Sequence, residues 1–174
     1  QFNGQGYAKI EPPDGSAHSL RVVSGEGSYA VYLDGEQLAV DLPLFSNSGH
    51  IGLITSKAEA SFGSIRAASN GQPSASFSAP AASNDFFGDI ETISGEWLQE
   101  GTKLSQINEA TYDFSISTGV FAGLYTLETE IALPDDPDLQ DAGGGILFHM
   151  PERSSRTGAH MVRFTGQDSL IWGY

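Results

Sequence analysis

The segment GLYTLETEIALP, residues 123–134, alternates apolar and polar side chains without a break. Tyr125, Leu127, Thr129, Ile131 and Leu133 fall on one side, and Thr126, Glu128, Glu130 and Ala132 on the other. Successive side chains of an extended strand point to opposite faces, so this pattern predicts a strand with one buried and one solvated face. The same period recurs along the chain. HSLRVVSG reads as a strand around residues 18–24, and SYAVYLDGEQLAVDLPL as a hairpin that turns at Asp34-Gly35. GHIGLITS and ASFGSIRA flank a polar turn at Lys57, and GEWLQEG, TKLSQI, TYDFSIS, GILFHM, AHMVRF and SLIWGY follow. No window of 11 residues keeps a helical stripe with caps. About a dozen short strands separated by Gly, Pro and Asp turns predict an all-β fold, a two-sheet antiparallel β-sandwich of the jelly-roll kind. Tyr29, Val31, Leu33, Leu127, Ile131 and Leu133 are expected to be buried on facing sheets.

Charge narrows the partners. Eight Lys and Arg stand against twenty-two Asp and Glu, a net charge of -14. A nucleic-acid binder needs a basic footprint, so nucleic acid is excluded as a partner, and anionic lipid surfaces are disfavoured for the same reason. No apolar run approaches the roughly 20 residues that span a bilayer, so membrane insertion by a helix is not expected. There is no cysteine, which removes disulfides, thiolate metal sites and cysteine nucleophiles together. An acidic, lysine-poor surface rich in Gly, Ser and Thr suits an extracellular or cell-surface protein, and equally a salt-adapted organism. No secretory leader is recognisable, as expected of a cytosolic chain, a mature one or a piece of something longer.

ASNGQPSAS, residues 68–76, has linker composition: small, polar, with Asn-Gly and Pro. It divides the chain into a β segment at 1–67, a linker at 68–79 and a second β segment at 80–174. Both ends are strand-like rather than loop-like, QFNGQGYAKI at the start and SLIWGY at the finish. Unpaired apolar strands of this kind template further pairing, so each end is expected to find a strand partner.

The order of motifs in residues 18–67 resembles the C-terminal half of a concanavalin A-like lectin/glucanase domain, the jelly roll shared with laminin G modules. A strand is followed by a Y-x-V-Y-x-D-G hairpin (Tyr29 to Gly35), by G-x-I-G-L (Gly49 to Leu53) and by S-F-x-x-I (Ser61 to Ile65). Residues 84–174 are similar to the N-terminal half of such a domain, opening on NDFFGDIETISGEW and continuing through YTLETEIALP, GGGILFHM and HMVRF. The halves therefore stand in permuted order. The resemblance implies that the last strand and the first would be consecutive in an ordinary member. Three arrangements fit: a permuted domain closing on itself, halves completed by neighbouring chains, or a window of a tandem array. In the last two, copies associate head to tail through their termini.

Three constellations carry chemistry. Glucanases of the resembled fold use two carboxylates from one strand. Glu128 and Glu130 share a face, but Ala132 stands where a third acid would be wanted, so they read as a solvated sheet face and no catalytic residue is expected. Asp135, Asp136, Asp138 and Asp141 lie within seven residues, a density of hard oxygens that holds calcium or simply faces water. They lack the glycine and terminal glutamate of an EF-hand loop. His18, His50, His149 and His160 never fall at transition-metal ligand spacing. GGG at 143–145 lacks a following Lys and helix, and reads as a turn. Finally, His149, Arg163, Trp172 and Tyr174 come from strands expected to be neighbours, with Arg153 and Arg156 in the adjoining loop. Aromatic platforms beside polar groups bind sugars, and the same tryptophans also suit core packing.

Two functions follow as expectations. One is a non-catalytic structural or adhesive jelly-roll unit of an extracellular fibre or surface protein. The other is a carbohydrate-binding, lectin-like module of a glycan-active protein.

Overall fold

A computed structural model describes residues 3–11, 14–57, 59–63, 65–69, 90–101, 103–108, 113–135, 143–165 and 168–174. Among the described residues there are fifteen strands and no helix. In chain order they are β1 (Gly4–Lys9), β2 (Ala17–Ser24), β3 (Ser28–Leu33), β4 (Glu36–Pro43), β5 (Gly49–Ser56), β6 (Ala60–Phe62), β7 (Arg66–Ser69) and β8 (Glu91–Ser94). They continue as β9 (Trp97–Glu100), β10 (Lys103–Gln106), β11 (Asp113–Ala122), β12 (Tyr125–Ala132), β13 (Gly143–Met150), β14 (His160–Phe164) and β15 (Ser169–Gly173). They form two antiparallel sheets packed face to face, a β-sandwich.

One sheet runs β1-β15-β14-β13-β5-β11-β8. The other runs β4-β3-β2-β12-β6-β10-β9, with β7 also on β12. ASFGSIRA is thus two short strands rather than one: β6 pairs with residues 131–132 and β7 with residues 125–128 of β12. The hairpin at Asp34-Gly35 has φ of 49° and 85°, the left-handed pair that a two-residue turn between twisted strands requires.

The core lies between the sheets. Leu20, Val22, Tyr29, Val31, Leu127, Ile131 and Leu133 meet Ile51, Leu53, Ile116, Ile146, Phe148, Val162, Phe164 and Leu170. Tyr29, Val31, Leu127, Ile131 and Leu133 are buried as expected, and Leu33 is half-buried. They do not face one another, however. β3 and β12 belong to one sheet, separated only by β2, and their partners across the core come from β5, β11, β13, β14 and β15.

β1 and β15 pair antiparallel within the one chain, Tyr7 opposite Ile171 and Ala8 opposite Leu170. The Asn3 N–H donates to the Tyr174 carbonyl at 2.8 Å, and the Tyr174 N–H to the Asn3 carbonyl at 3.2 Å. The edge of the last strand is satisfied by the first. Ala68 and Ser69, placed in the linker by composition, belong to β7; residues 70–79 lie outside the described residues.

Candidate functional site: a groove on the outer face of the seven-stranded sheet

Strand alternation gives this sheet an outer face, turned away from the core. Ile54, Leu147, Met150, Ala159 and Met161 form a second apolar cluster there, separate from the core. Between it and the loop at 151–158 lies a groove of about 280 Å³. Ile54, Leu147 and Met161 are its apolar part, and Asp113, Arg156 and Tyr174 its polar groups. That volume falls just under the ~300–1,000 Å³ of typical small-molecule sites, so the groove suits a short ligand.

The polar groups meet because of glycines. Arg163 on β14 is opposite Gly145 on β13, which in turn pairs with Ile54 on β5. A Cβ on Gly145 would lie 2.5 Å from that of Arg163, and one on Gly143 would lie 3.7 Å from its guanidinium. The bare strand lets the arginine lie across it and donate to the Ser56 hydroxyl on β5. Its guanidinium stands 3.9 Å from Asp113 on β11. Ser56 also donates to Asp113 Oδ1, at 2.5 Å. GGG is therefore not a turn but the opening of β13.

The loop reaches the same carboxylate from above. Arg156 lies 3.5 Å from Asp113 Oδ2, and Arg153 lies 3.3 Å from Glu91 on β8. Both pairs are partly solvated, so each holds the loop by only ~0.2–1 kcal/mol. Asp113 and Arg156 thus present an acceptor and a donor fork side by side, above an apolar floor. That combination can hydrogen-bond hydroxyl groups while packing against C–H surface.

The four residues singled out for glycan binding are not brought to one surface. Tyr174 lines the groove, 40% exposed, its hydroxyl accepting from Asn3 Nδ2 at 2.8 Å. Arg163 supports Asp113 from the neighbouring strands. Trp172 and His149 lie on the inner side: Trp172 is in the core, its indole occupying the space a Cβ on Gly6 would need. His149 is fully buried and stacks on Tyr125, ring centroids 5.1 Å apart. Burial pushes it down to about 4, with nearby His160 adding to the effect. Its position in β13 follows the irregular register between Leu147 and Met150, with φ at 52°. Strict alternation from GILFHM could not show that.

Glu128 and Glu130 lie on the outer face of the other sheet. Glu128 accepts from the Ser19 hydroxyl at 2.7 Å, and the hollow at the pair is about 50 Å³, smaller than a sugar ring needs. Asp135 is exposed; Asp136, Asp138 and Asp141 lie outside the described residues. Among the described residues no cluster of three or more His, Asp or Glu is placed to hold a metal ion.

Asp113, Ser56 and the apolar floor were not singled out from sequence. A signal was there: Ser56, Asp113, Ser115, Gly143 and Gly145 put small or polar residues at outward positions of three adjacent strands. Neither protein-family models nor curated proteins give a match to the chain, so the functional reading rests on this geometry.

Proposed function

We propose that the chain is a non-catalytic adhesive module of an extracellular or cell-surface protein, and that it adheres to carbohydrate. One observation carries the reading: the groove sets the Asp113–Arg156 pair and Tyr174 around the apolar floor of Ile54, Leu147 and Met161. Ring hydroxyls would take the carboxylate and guanidinium, and the apolar face of the sugar the floor. The volume favours one or two terminal sugars over a long chain segment. The resemblance to concanavalin A-like domains points the same way.

Calorimetric titration with a panel of mono- and disaccharides, guided by a glycan array, tests this. Asp113→Asn and Arg156→Met are each expected to weaken binding at least ten-fold, about 1.4 kcal/mol. Neither should lower stability by more than ~1 kcal/mol, because the pair is partly solvated. No binding across the panel, or variants that bind like the parent, would sink the proposal.

A further inference from the structure

Residues 44–48 carry the chain from β4 in one sheet to β5 in the other, and a histidine fastens them. The Phe45 N–H donates to Nε2 of His160 at 3.2 Å. The two rings lie nearly parallel, 15° apart, with centroids separated by 5.5 Å. His160 opens β14 and is 1% exposed. It stacks on Phe148 at 5.4 Å and meets Tyr29 edge-on at 5.5 Å. Nε2 can accept only while it carries no proton, so the proton sits on Nδ1, which has no partner among the described residues. Phe45 passes the contact on. Its ring meets Tyr174 edge-on at 4.7 Å, and Tyr174 lines the groove.

We propose that His160 is an acid-sensitive latch on the 44–48 crossover and, through Phe45 and Tyr174, on one wall of the groove. A proton on Nε2 turns the acceptor into a donor, and it then faces the Phe45 N–H donor in a site closed to water. Among the described residues, the titratable groups packed around it are Tyr29 from β3, Tyr174 beyond β15 and, from β13, His149. The crossover itself has no ionisable side chain. None of these groups supplies a negative charge in acid, and a second protonated histidine would only repel. The imidazolium is left uncompensated. Relief by local opening is the least costly route, because Phe45 as a residue is already 63% exposed and can lift without parting the sheets. Burial holds His160 down to about 4, so the latch is closed at neutral pH and yields only in acid. The effect on ligand rests on the groove being a binding site; the latch does not.

The test follows the His160 ring, the Tyr174 ring and exchange of the Phe45 amide by NMR from pH 7 to 3.5. It uses the parent chain and His160→Gln, whose side-chain carbonyl can accept the same amide and takes no proton in this range. In the parent, Phe45 exchange, corrected for its intrinsic rate, should rise at least ten-fold as His160 titrates near 4. The Tyr174 resonances should shift with the same midpoint. In His160→Gln both changes should be absent. Titration of His160 near 6.5, an unmoved Phe45 amide while His160 titrates, or the same acid step in His160→Gln would overturn the latch. Should His160→Gln fail to fold, the parent's three coincident or divergent midpoints decide alone. Sugar titrations at pH 7 and pH 4 separate the two readings. Binding that weakens in acid supports both, acid-independent binding removes the coupling, and no binding at either pH fails the groove while leaving the NMR result to judge the latch.

Discussion

Gly145 occupies the one place on β13 where a side chain would strike the Arg163 stem and the Val162 carbonyl. Gly145→Ala is therefore expected to cost ~1–3 kcal/mol of stability by overpacking, read from chemical denaturation. It should also weaken sugar binding, since Arg163 would lose its path to Ser56 and Asp113. His149 makes a different prediction. It is kept neutral by burial. The unfolded chain takes a proton near 6.5, the folded one only near 4. Its contribution is thus intact above about pH 6.5, declines as pH falls and levels off below 4, a loss on the order of 3 kcal/mol. Urea midpoints measured from pH 7 to 4 should fall accordingly. In His149→Asn, which tolerates the left-handed backbone, stability should be lower at pH 7 but should vary less across that window.

At the scale of elements, β12 pairs with three strands, β2 along one edge and β6 and β7 sharing the other. Leu127 on its inner face is fully buried, and Leu127→Ala should cost ~2–5 kcal/mol. Val40 on edge strand β4 is 53% exposed, and Val40→Ala should change stability by no more than ~0.5 kcal/mol. Thermal or denaturant unfolding of both variants checks the contrast. β12 and β13 together show what sequence can and cannot reveal. β12 was legible because one face meets the core and the other meets water, and alternation records that difference. β13 was legible only in part, as GILFHM, since the strand is buried along its whole length and shows no alternation. The core covers its inner side, while the 151–158 loop and the Arg163 stem cover the outer one. Its glycines consequently looked like a turn. Trp172 and Tyr174 were both candidates for a sugar platform, but Trp172 lies in the core, and only Tyr174, just past the end of β15, meets the groove. The groove's main acid, Asp113, gave no local pattern, because its partners come from residues 56, 156 and 163.

Over the whole molecule, the segments before and after residues 70–79 are interleaved rather than side by side. β5, from the first segment, sits between β13 and β11 of the second; β12, from the second, sits between β2 and β6/β7 of the first. Fragments 1–69 and 90–174 are each expected to lack a cooperative melt, and mixing them should restore one. A cooperative transition in either alone would show that it folds without the other. Because β1 already satisfies the edge of β15 within one chain, analytical ultracentrifugation should find a monomer; a concentration-dependent ladder of species would restore head-to-tail exchange between copies. Interleaving also sets a schedule. As the chain leaves the ribosome, the apolar faces of β2, β3 and β5 emerge before the strands that cover them have been made. At ~5–20 residues per second, the hundred or so residues from β7 to β15 take roughly 5–20 s to synthesise. Throughout that interval the nascent first segment lacks the strands that complete both of its sheets, and a holding chaperone has a window in which to bind it.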